Sequence, residues 1–424
     1  MSNLSRRNFN LLLGSSALAT AVAMPNIARA AKPRLVVVGG GAGGGTVARY
    51  VAKDTKGAVD VTLIEPSKRY YTCFFSNLYL GGFRSYDSIG RDYGKMATDH
   101  GVSVVHDWAA DIDRTKKVVT LASGASVPYD RLVVSPGIDI NYESVPGYSA
   151  AASGQIPHAW RSGTQVQLLK AQVENMREGG TFVMVAPPNP YRCPPGPYER
   201  ISMIAHLLKA KNPKAKIVVL DPKEKFSKQA LFTEGWQNHY PDMVEWLPKS
   251  ITGGIKSVNV DTLEFETELE TFKADAATII PAQKAGRIAQ IAGLTNDKGW
   301  CPINPATMQS AKDPNVYVVG DASVASAMPK SGFAANSQAK VAAMHARGEL
   351  TGSKVFPARY ANTCWSLIAT DDGVKVGARY KAGDSKIEAT DKFISKTGES
   401  ADLRKTTYEE SIGWYDGITA DIFG

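Results

Sequence analysis

Four cysteines are the residues of this sequence whose type and placement point most directly to chemistry. Cys73 lies in YYTCFFSN, Cys193 in YRCPPGPYER, Cys301 in GWCP and Cys364 in NTCWS. Four cysteines are too few to staple a chain of 424 residues with disulfides. A few thiols beside a redox cofactor would instead be reactive groups. Without a cofactor, the default interpretation is buried thiols with one incidental bridge.

A dinucleotide-binding unit is the first element that must position such chemistry. The segment RLVVVGGGAGGGTVARYVA, from Arg34, predicts a strand, a glycine turn and a helix, with Gly39, Gly41 and Gly44 at the G-x-G-x-x-G positions. The helix N-terminus supplies free N–H groups to a pyrophosphate. The strand VDVTLIEP then leads to Glu65, an acid about 20 residues beyond the glycines, as ribose binding requires.

A later segment favours FAD over NAD as the dinucleotide. NVYVVGDASVASAMPKSGFAANSQAKVAA predicts a buried strand, a turn at Asp321 and an alanine-rich helix from about Gly332. It resembles the second FAD motif of flavoproteins with two dinucleotide folds, which implies that Asp321 binds the ribitol chain. The alternative role for Asp321 is an ordinary N-cap. The helix dipole would favour negative charge on the flavin, and Lys330 either pairs with that charge or is a solvated surface lysine.

A second strand–loop–helix unit has a loop that is unsuited to a pyrophosphate. GGTFVMVAPPNPYRCPPGPYERISMIAHLLKA is followed by the strand IVVLDP, which ends at Asp221. Proline has no N–H to donate, and this loop carries prolines at 187, 188, 190, 194, 195 and 197. A nicotinamide site is therefore not expected. Cys193 and Glu199 occupy this region instead, which indicates a substrate site built from a former cofactor site.

These segments together resemble the flavoprotein subunit of flavocytochrome c sulfide dehydrogenase and, more distantly, sulfide:quinone oxidoreductases. The resemblance covers essentially the whole chain beyond residue 30 and rests on VVVGGGAGG, VTLIEP, YYTCFFSN, RCPPGPYER, IAQIAGLTNDKGWCP, GDAS, MPKSG and NTCWS. It implies that Cys73 is joined to the flavin 8α-methyl group as a thioether. It also implies a redox-active disulfide between Cys193 and Cys364, with Glu199 nearby. Sequence alone leaves the pairing open, and Cys301 is expected to be a buried structural thiol.

Disulfide exchange is the mechanism that this resemblance implies. Hydrosulfide attacks one sulfur of the bridge, leaving a persulfide on one cysteine and a thiolate on the other, which reduces the flavin. Glu199 either moves a proton in these steps or is an ordinary first-turn acid of its helix.

The electron acceptor is expected to be a separate c-type cytochrome subunit in a heterodimer. The chain has no C-x-x-C-H motif, so any haem belongs to another polypeptide. The C-terminal stretch from about Phe356, whose aromatic residues are expected to be mostly core, resembles the family's flavin-covering and cytochrome-interface domain. Two alternatives stay open: a peripheral sulfide:quinone oxidoreductase, which the acidic C-terminus disfavours, and an accessory flavoprotein that reactivates a sulfur-oxidising carrier complex by thiol exchange.

The N-terminus predicts export to the periplasm. SRRNFNLLLGSSALATAVAMPNIARA has the twin arginines Arg6 and Arg7, an apolar stretch and a small-residue cleavage site ending at Ala30. Removing residues 1–30 takes three arginines (with Arg29) from the formal charge of +8 and leaves +5. That mild basicity does not favour nucleic-acid binding, and no transmembrane segment or metal site is expected.

The predicted fold class is α/β, with two doubly wound dinucleotide-binding-type domains and a small α+β C-terminal domain. We expect a signal peptide at 1–30, a discontinuous FAD-binding domain at 31–145 and 270–350, a second nucleotide-fold domain without an intact phosphate loop at 146–269, and the C-terminal domain at 351–424.

Overall fold

The first dinucleotide-binding unit forms a six-stranded sheet. The computed structural model describes residues 31–161 and 163–424, so the predicted export signal at 1–30 lies outside the described residues. Five strands are parallel and one edge strand is antiparallel, in the order Gln309–Ser310, Asp313–Val318, Arg131–Val134, Arg34–Val38, Asp60–Ile64, Ser103–Val105. The strands in the middle of this sheet are mostly apolar, because helices cover both faces of a parallel sheet. The helix Gly332–Thr351 begins where predicted, and the helix predicted after the glycine turn spans Gly44–Thr55.

The second unit is a four-stranded parallel sheet with its own helices. Its strands run in the order Val244–Pro248, Lys216–Asp221, Thr181–Val185, Ala276–Ile279. Its helices are Thr164–Glu174, Gly196–Lys211 and Gln229–His239. The predicted strand, proline-rich loop, helix and strand are therefore all present. Two parallel sheets with covering helices confirm the doubly wound α/β class.

Several small sheets lie outside the two large ones. The antiparallel ones are the three-stranded sheets Ala109–Asp113, Val118–Leu121, Ser126–Pro128 and Ile255–Asn259, Glu264–Thr267, Thr271–Lys273, and the pairs Ile138–Asn141 with Ala282–Ala285 and Tyr70–Tyr71 with Gly90–Arg91. Cys301–Pro302 and Ser323–Val324 form a short parallel pair. The remaining short helices are Cys73–Phe75, Ser76–Leu80, Asp87–Ile89, Gly94–His100, Tyr142–Ser144, Ala152–Gly154, Lys249–Thr252, Arg287–Ile291 and Gly320–Ala322.

The C-terminal region is a three-stranded antiparallel sheet followed by one long helix. The strands are Arg359–Ala369, Asp372–Ala382 and Ile387–Ile394, and the helix Ala401–Phe423 packs against them. This is the predicted α+β region. Cys364 lies in the middle of the first strand, on its buried face. None of the described helices is long and apolar enough to cross a membrane.

A buried ionic cluster fastens the C-terminal helix to the sheet and to the second unit. Asp372, at the start of its strand, accepts a hydrogen bond from Arg404 Nε (2.5 Å) and lies 2.7 Å from His239 Nε2. Arg404 also pairs with Glu234 at 3.5 Å. Burial opposes ionisation of Asp372, but its hydrogen bonds with His239 and Arg404 hold its pKa below the usual value. Three elements therefore share one carboxylate.

We predict that Asp372→Asn lowers the free energy of unfolding at pH 7 by about 2–4 kcal/mol, because it removes the nearer of the two carboxylates that pair with a buried guanidinium. A depressed folded-state pKa stabilises the protein above the unfolded pKa and loses that effect as pH falls, so the difference should shrink below about pH 4. Urea unfolding at several pH values measures this. The matched control is Asp371→Asn, which breaks a half-exposed pair with Lys405 and should cost at most about 1 kcal/mol. Equal effects of the two substitutions would contradict the prediction.

Candidate functional site

The glycine loop has the tight packing that a dinucleotide fingerprint requires. Gly39 has φ +97°, and a Cβ there would lie 2.3 Å from the carbonyl oxygen of Ser135; at Gly44 it would lie 1.9 Å from the carbonyl oxygen of Gly39. A Cβ at Gly41 would have the Tyr70 side chain as its nearest neighbour, with the hydroxyl at 3.2 Å. Glu65 lies beside the loop, where its Oε2 accepts the Gly40 N–H at 2.8 Å. The predicted glycines and acid therefore meet at one strand end.

The second predicted FAD segment brings Asp321 and Lys330 together. Asp321 lies in a short turn with its side chain 11% exposed; its Oδ2 is 3.7 Å from Arg192, and its buried Oδ1 has no hydrogen-bond partner among the described residues. A buried carboxylate oxygen is rarely left unpaired in a native protein, so this atom fits a ligand hydroxyl. Lys330 Nζ donates to the carbonyl oxygen of Asp321 at 2.6 Å. Burial lowers the pKa of Lys330 to about 8, so it is not a solvated surface lysine.

Three of the four cysteines line a single cavity. Cys73, Cys193 and Cys364 all face it, together with Glu199. Within the described residues all four cysteines are free thiols, so the structure places Cys193 and Cys364 in one cavity without a bond between them. Cys301 is fully buried and is not part of the cavity lining, as expected for a structural thiol.

The proline-rich loop holds Cys193 in an unusual backbone conformation. Cys193 has φ +59°, a left-handed conformation that non-glycine residues seldom adopt. Its N–H donates to the carbonyl oxygen of Lys330 at 2.6 Å, and its own carbonyl accepts the N–H of Gly196 at 2.8 Å. A Cβ at Gly196 would lie 2.8 Å from the Cys193 sulfur, so the glycine of this loop makes room for the thiol. The strained loop aims Cys193 at the cavity.

A series of hydrogen bonds between polar side chains leads to the sulfur of Cys364. Asn362 Nδ2 donates to the Cys364 sulfur at 3.3 Å, and Ser331, the N-cap of the helix Gly332–Thr351, donates to Asn362 Oδ1 at 2.5 Å. Lys228 Nζ donates to the carbonyl oxygen of Cys364 at 3.1 Å and to Ser366 Oγ at 2.8 Å. The Cys364 thiol therefore has a direct donor and a buried cation close to its backbone.

Glu199 contacts elements that carry two of the cysteines. One oxygen accepts Asn77 Nδ2 at 2.9 Å, and the other accepts the N–H of Leu367 at 3.0 Å. Asn77 follows the Cys73 turn, and Leu367 lies in the Cys364 strand. Burial raises the pKa of Glu199, which makes a proton easier to hold at this carboxyl. Glu199 is thus more than a first-turn helix acid.

Burial dominates the electrostatics of the cavity. It raises the pKa of the Cys193, Cys364 and Cys73 thiols, and for Cys193 the nearby Cys364 and Glu199 add to the effect. Burial also lowers the pKa of Lys228 to about 8. A thiolate formed here therefore depends on nearby donors and cations.

Asp221, at the strand end where a nicotinamide dinucleotide fold would bind ribose, is already fully engaged. Its carboxylate accepts hydrogen bonds from Tyr198 at 2.6 Å and Trp246 Nε1 at 2.9 Å, and it pairs with Lys223 at 2.7 Å. Lys223 also donates to the carbonyl oxygen of Pro187 in the proline-rich loop. These contacts agree with the expectation of a loop that does not cradle a dinucleotide.

Sequence reasoning missed several residues that shape this site. Asn362, Ser331 and Arg192 lie within quoted motifs (NTCWS, MPKSG and YRCPPGPYER) but were not identified as polar partners. Lys228 had no local signal, because its neighbours in space come from a strand more than a hundred residues later. Long-range packing, rather than local pattern, places it.

The fold and the cysteine-lined cavity define a flavin oxidoreductase of the two-dinucleotide-fold class. Residues 33–180 match the pyridine nucleotide-disulphide oxidoreductase family, residues 166–281 match the family "Sulfide dehydrogenase [flavocytochrome c] flavoprotein chain, central", and residues 356–423 match the family "Flavocytochrome c sulphide dehydrogenase, flavin-binding". The chain belongs to the family of flavocytochrome c sulfide dehydrogenase flavoprotein chains, and the resemblance seen in the sequence is confirmed.

Individual relatives agree with this assignment. The chain is 50% identical over 44 residues to the flavocytochrome c sulfide dehydrogenase flavoprotein chain of Chlorobaculum thiosulfatiphilum, a match that covers 10% of this chain and 90% of the relative. It is 23% identical over 300 residues to the mitochondrial sulfide:quinone oxidoreductase of Mus musculus, a match that covers 68% of this chain and 65% of the mouse protein. The crystal structure of the Aquifex aeolicus sulfide:quinone oxidoreductase superposes with a TM-score of 0.69 at 18% identity, over 92% of each chain.

Proposed function

We propose that this protein oxidises sulfide through a redox-active Cys193–Cys364 disulfide and passes the electrons through FAD to a c-type cytochrome. The observation that carries the proposal is the shared cavity of Cys73, Cys193 and Cys364, with Glu199 in its wall. Family membership supports the same chemistry. The proline-rich loop and the occupied Asp221 support a non-nicotinamide route for the electrons.

The chain's own residues suggest how the disulfide would react. Hydrosulfide attacks one sulfur of the Cys193–Cys364 bond; a new S–S bond forms on that cysteine and the other leaves as a thiolate. Asn362 donates to the Cys364 sulfur, which favours Cys364 as the leaving thiolate. Glu199, with its raised pKa, is placed to accept the proton released when hydrosulfide becomes a persulfide anion.

FAD fits the residues that the chain provides. The Gly39–Gly44 loop and Glu65 would hold the adenosine and pyrophosphate, and the unpaired Oδ1 of Asp321 would hold the ribitol chain. When bound, FAD supplies a two-electron acceptor that can release electrons one at a time. Lys330 and the N-terminus of the helix Gly332–Thr351 would stabilise negative charge on it.

Cys73 is the proposed point of covalent attachment for the flavin. It begins a short turn, Cys73–Phe75, and faces the same cavity as the proposed disulfide. The preceding residue is fixed: the Thr72 hydroxyl lies 2.9 Å from the Tyr415 hydroxyl, and the Thr72 N–H donates to the carbonyl oxygen of Ile89. A thioether there would keep the cofactor with an exported protein.

We predict that acid-denatured holoprotein keeps its yellow chromophore and that Cys73→Ser releases it, because the thioether is then missing. Absorption of the precipitated and soluble fractions measures this. Cys301→Ser, which removes a buried thiol outside the cavity, is the matched control and should keep the flavin attached. Release of flavin from the wild type would exclude the thioether.

A cytochrome subunit is the proposed acceptor because the chain offers no C-x-x-C-H haem site of its own. The predicted twin-arginine signal supports a periplasmic location, where c-type cytochromes accept electrons. The C-terminal sheet and helix, which match the family's flavin-binding region, are the proposed covering and interface domain.

We predict that anaerobic sulfide bleaches the flavin of the holoprotein, and that added cytochrome c is then reduced. Cys193→Ser and Cys364→Ser should each slow the bleaching by at least about a hundredfold, because no disulfide remains to be attacked. Stopped-flow absorption measures the rate, with Cys301→Ser as the control that should react like the wild type. No bleaching by sulfide would overturn the function. Reduction of a quinone but not of cytochrome c would favour the sulfide:quinone alternative.

A further inference from the structure

Arg200 is a buried cation that lacks a carboxylate partner among the described residues. Its side chain lies in the wall of the cavity, and the residue is 1% exposed. The guanidinium donates only to neutral groups: the carbonyl oxygens of His158 (2.9 Å) and Ala159 (2.5 Å), Thr278 Oγ1 and Asn77 Oδ1. A buried charge is costly unless an opposite charge accompanies it. A bound anion would therefore stabilise the buried guanidinium of Arg200.

Trp160 supplies an unused hydrogen-bond donor in the same place. Its ring lies 4.7 Å from the Arg200 guanidinium carbon, it is 6% exposed, and it lines the cavity. Its indole N–H has no acceptor among the described residues. Most buried donors in native proteins are paired, so an unpaired one in a cavity wall points to a ligand.

The Trp160 ring lies close to the Cys193 sulfur and joins Arg200 to it. A Cβ built on Gly196 would lie 2.8 Å from Cys193 Sγ and 3.0 Å from Trp160 Cη2, so the thiol and the carbon edge of the indole flank the same point, and the Arg200 guanidinium lies 4.7 Å from the centre of that ring. A negative charge on Cys193 raises the pKa of Arg200, which burial and Arg192 together lower to about 9. The guanidinium of Arg200 therefore interacts electrostatically with a charge on this sulfur.

The other titratable groups around the cavity either have partners already or are neutral. Glu199 accepts hydrogen bonds from Asn77 and from the N–H of Leu367. Arg192 pairs with Asp321 at 3.7 Å. Burial holds the pKa of His158 near 3, so that ring is neutral at physiological pH. None of these groups supplies the anion that Arg200 lacks.

We propose that Arg200 and the indole N–H of Trp160 form an anion subsite beside Cys193, which holds the negatively charged terminal sulfur of a chain attached to that cysteine. The identity of the anion rests on the proposed function, whereas the preference of the subsite for negative charge does not. The subsite also assigns Cys193, rather than Cys364, as the cysteine that carries the added sulfur.

The test compares alkylation of Cys193 by anionic iodoacetate and by neutral iodoacetamide in the reduced holoprotein, followed by peptide mass mapping. Cys364 in the same samples is the internal reference. The rate ratio, iodoacetate over iodoacetamide, should be higher at Cys193 than at Cys364. Trp160→Phe, which keeps an aromatic side chain and removes the N–H, and Arg200→Met should each lower the ratio at Cys193 by about tenfold, because each removes a donor to the anion.

Tyr129→Phe is the matched control, because the Tyr129 hydroxyl is also buried without a partner but is not in the cavity wall. It should leave the ratio at Cys193 unchanged. If Arg200→Met fails to fold, the rate ratio at Cys193 in Trp160→Phe alone decides whether the anion subsite exists. An unchanged ratio in Trp160→Phe would overturn the subsite even if sulfide bleaches the flavin. A lowered ratio in a protein that sulfide does not reduce would keep the subsite and refute the function.

Discussion

The hydrogen bond from the Cys193 N–H to the carbonyl oxygen of Lys330, at 2.6 Å, joins the parts of the molecule on which the site depends. It fixes the proline-rich loop of the second unit against the segment that carries Asp321 and begins the helix Gly332–Thr351. From the N-cap of that helix, Ser331 and Asn362 continue the contact to the Cys364 sulfur. Two cysteines separated by about 170 residues in sequence therefore reach one cavity through backbone and amide contacts.

Burial is the second constraint, and it has opposite effects on the two kinds of charge in the cavity. It raises the pKa of the thiols and of Glu199, and it lowers the pKa of Lys228 and Arg200. The buried cations in such surroundings favour a new anion, because they gain a partner when a thiolate or persulfide forms. The same desolvation that disfavours a lone thiolate would thus strengthen the pairing of these cations with the charge that develops in the proposed sulfide oxidation.

Much of the fold was predictable because it follows local rules. The glycine spacing, the apolar strands and the acid at Glu65 specify a dinucleotide unit within a short stretch of chain, and the proline-rich loop excludes a second phosphate cradle by the absence of N–H donors. The residues that tune the cavity were not predictable in this way. Lys228, Asn362 and Trp160 acquire their roles only through contacts with distant segments, and an unpaired indole N–H has no signature in a sequence.

A peptide map of the oxidised holoprotein without reductant decides whether Cys193 and Cys364 form the redox pair. With free thiols blocked at acid pH, we expect a Cys193 peptide linked to the Cys364 peptide, with Cys301 unlinked. A short anaerobic exposure to sulfide, quenched with acid before the flavin bleaches, should release both peptides, the Cys193 peptide with one additional sulfur atom. A bridge between Cys193 and Cys301, or two free thiols at Cys193 and Cys364 in a protein that still oxidises sulfide, would contradict the account.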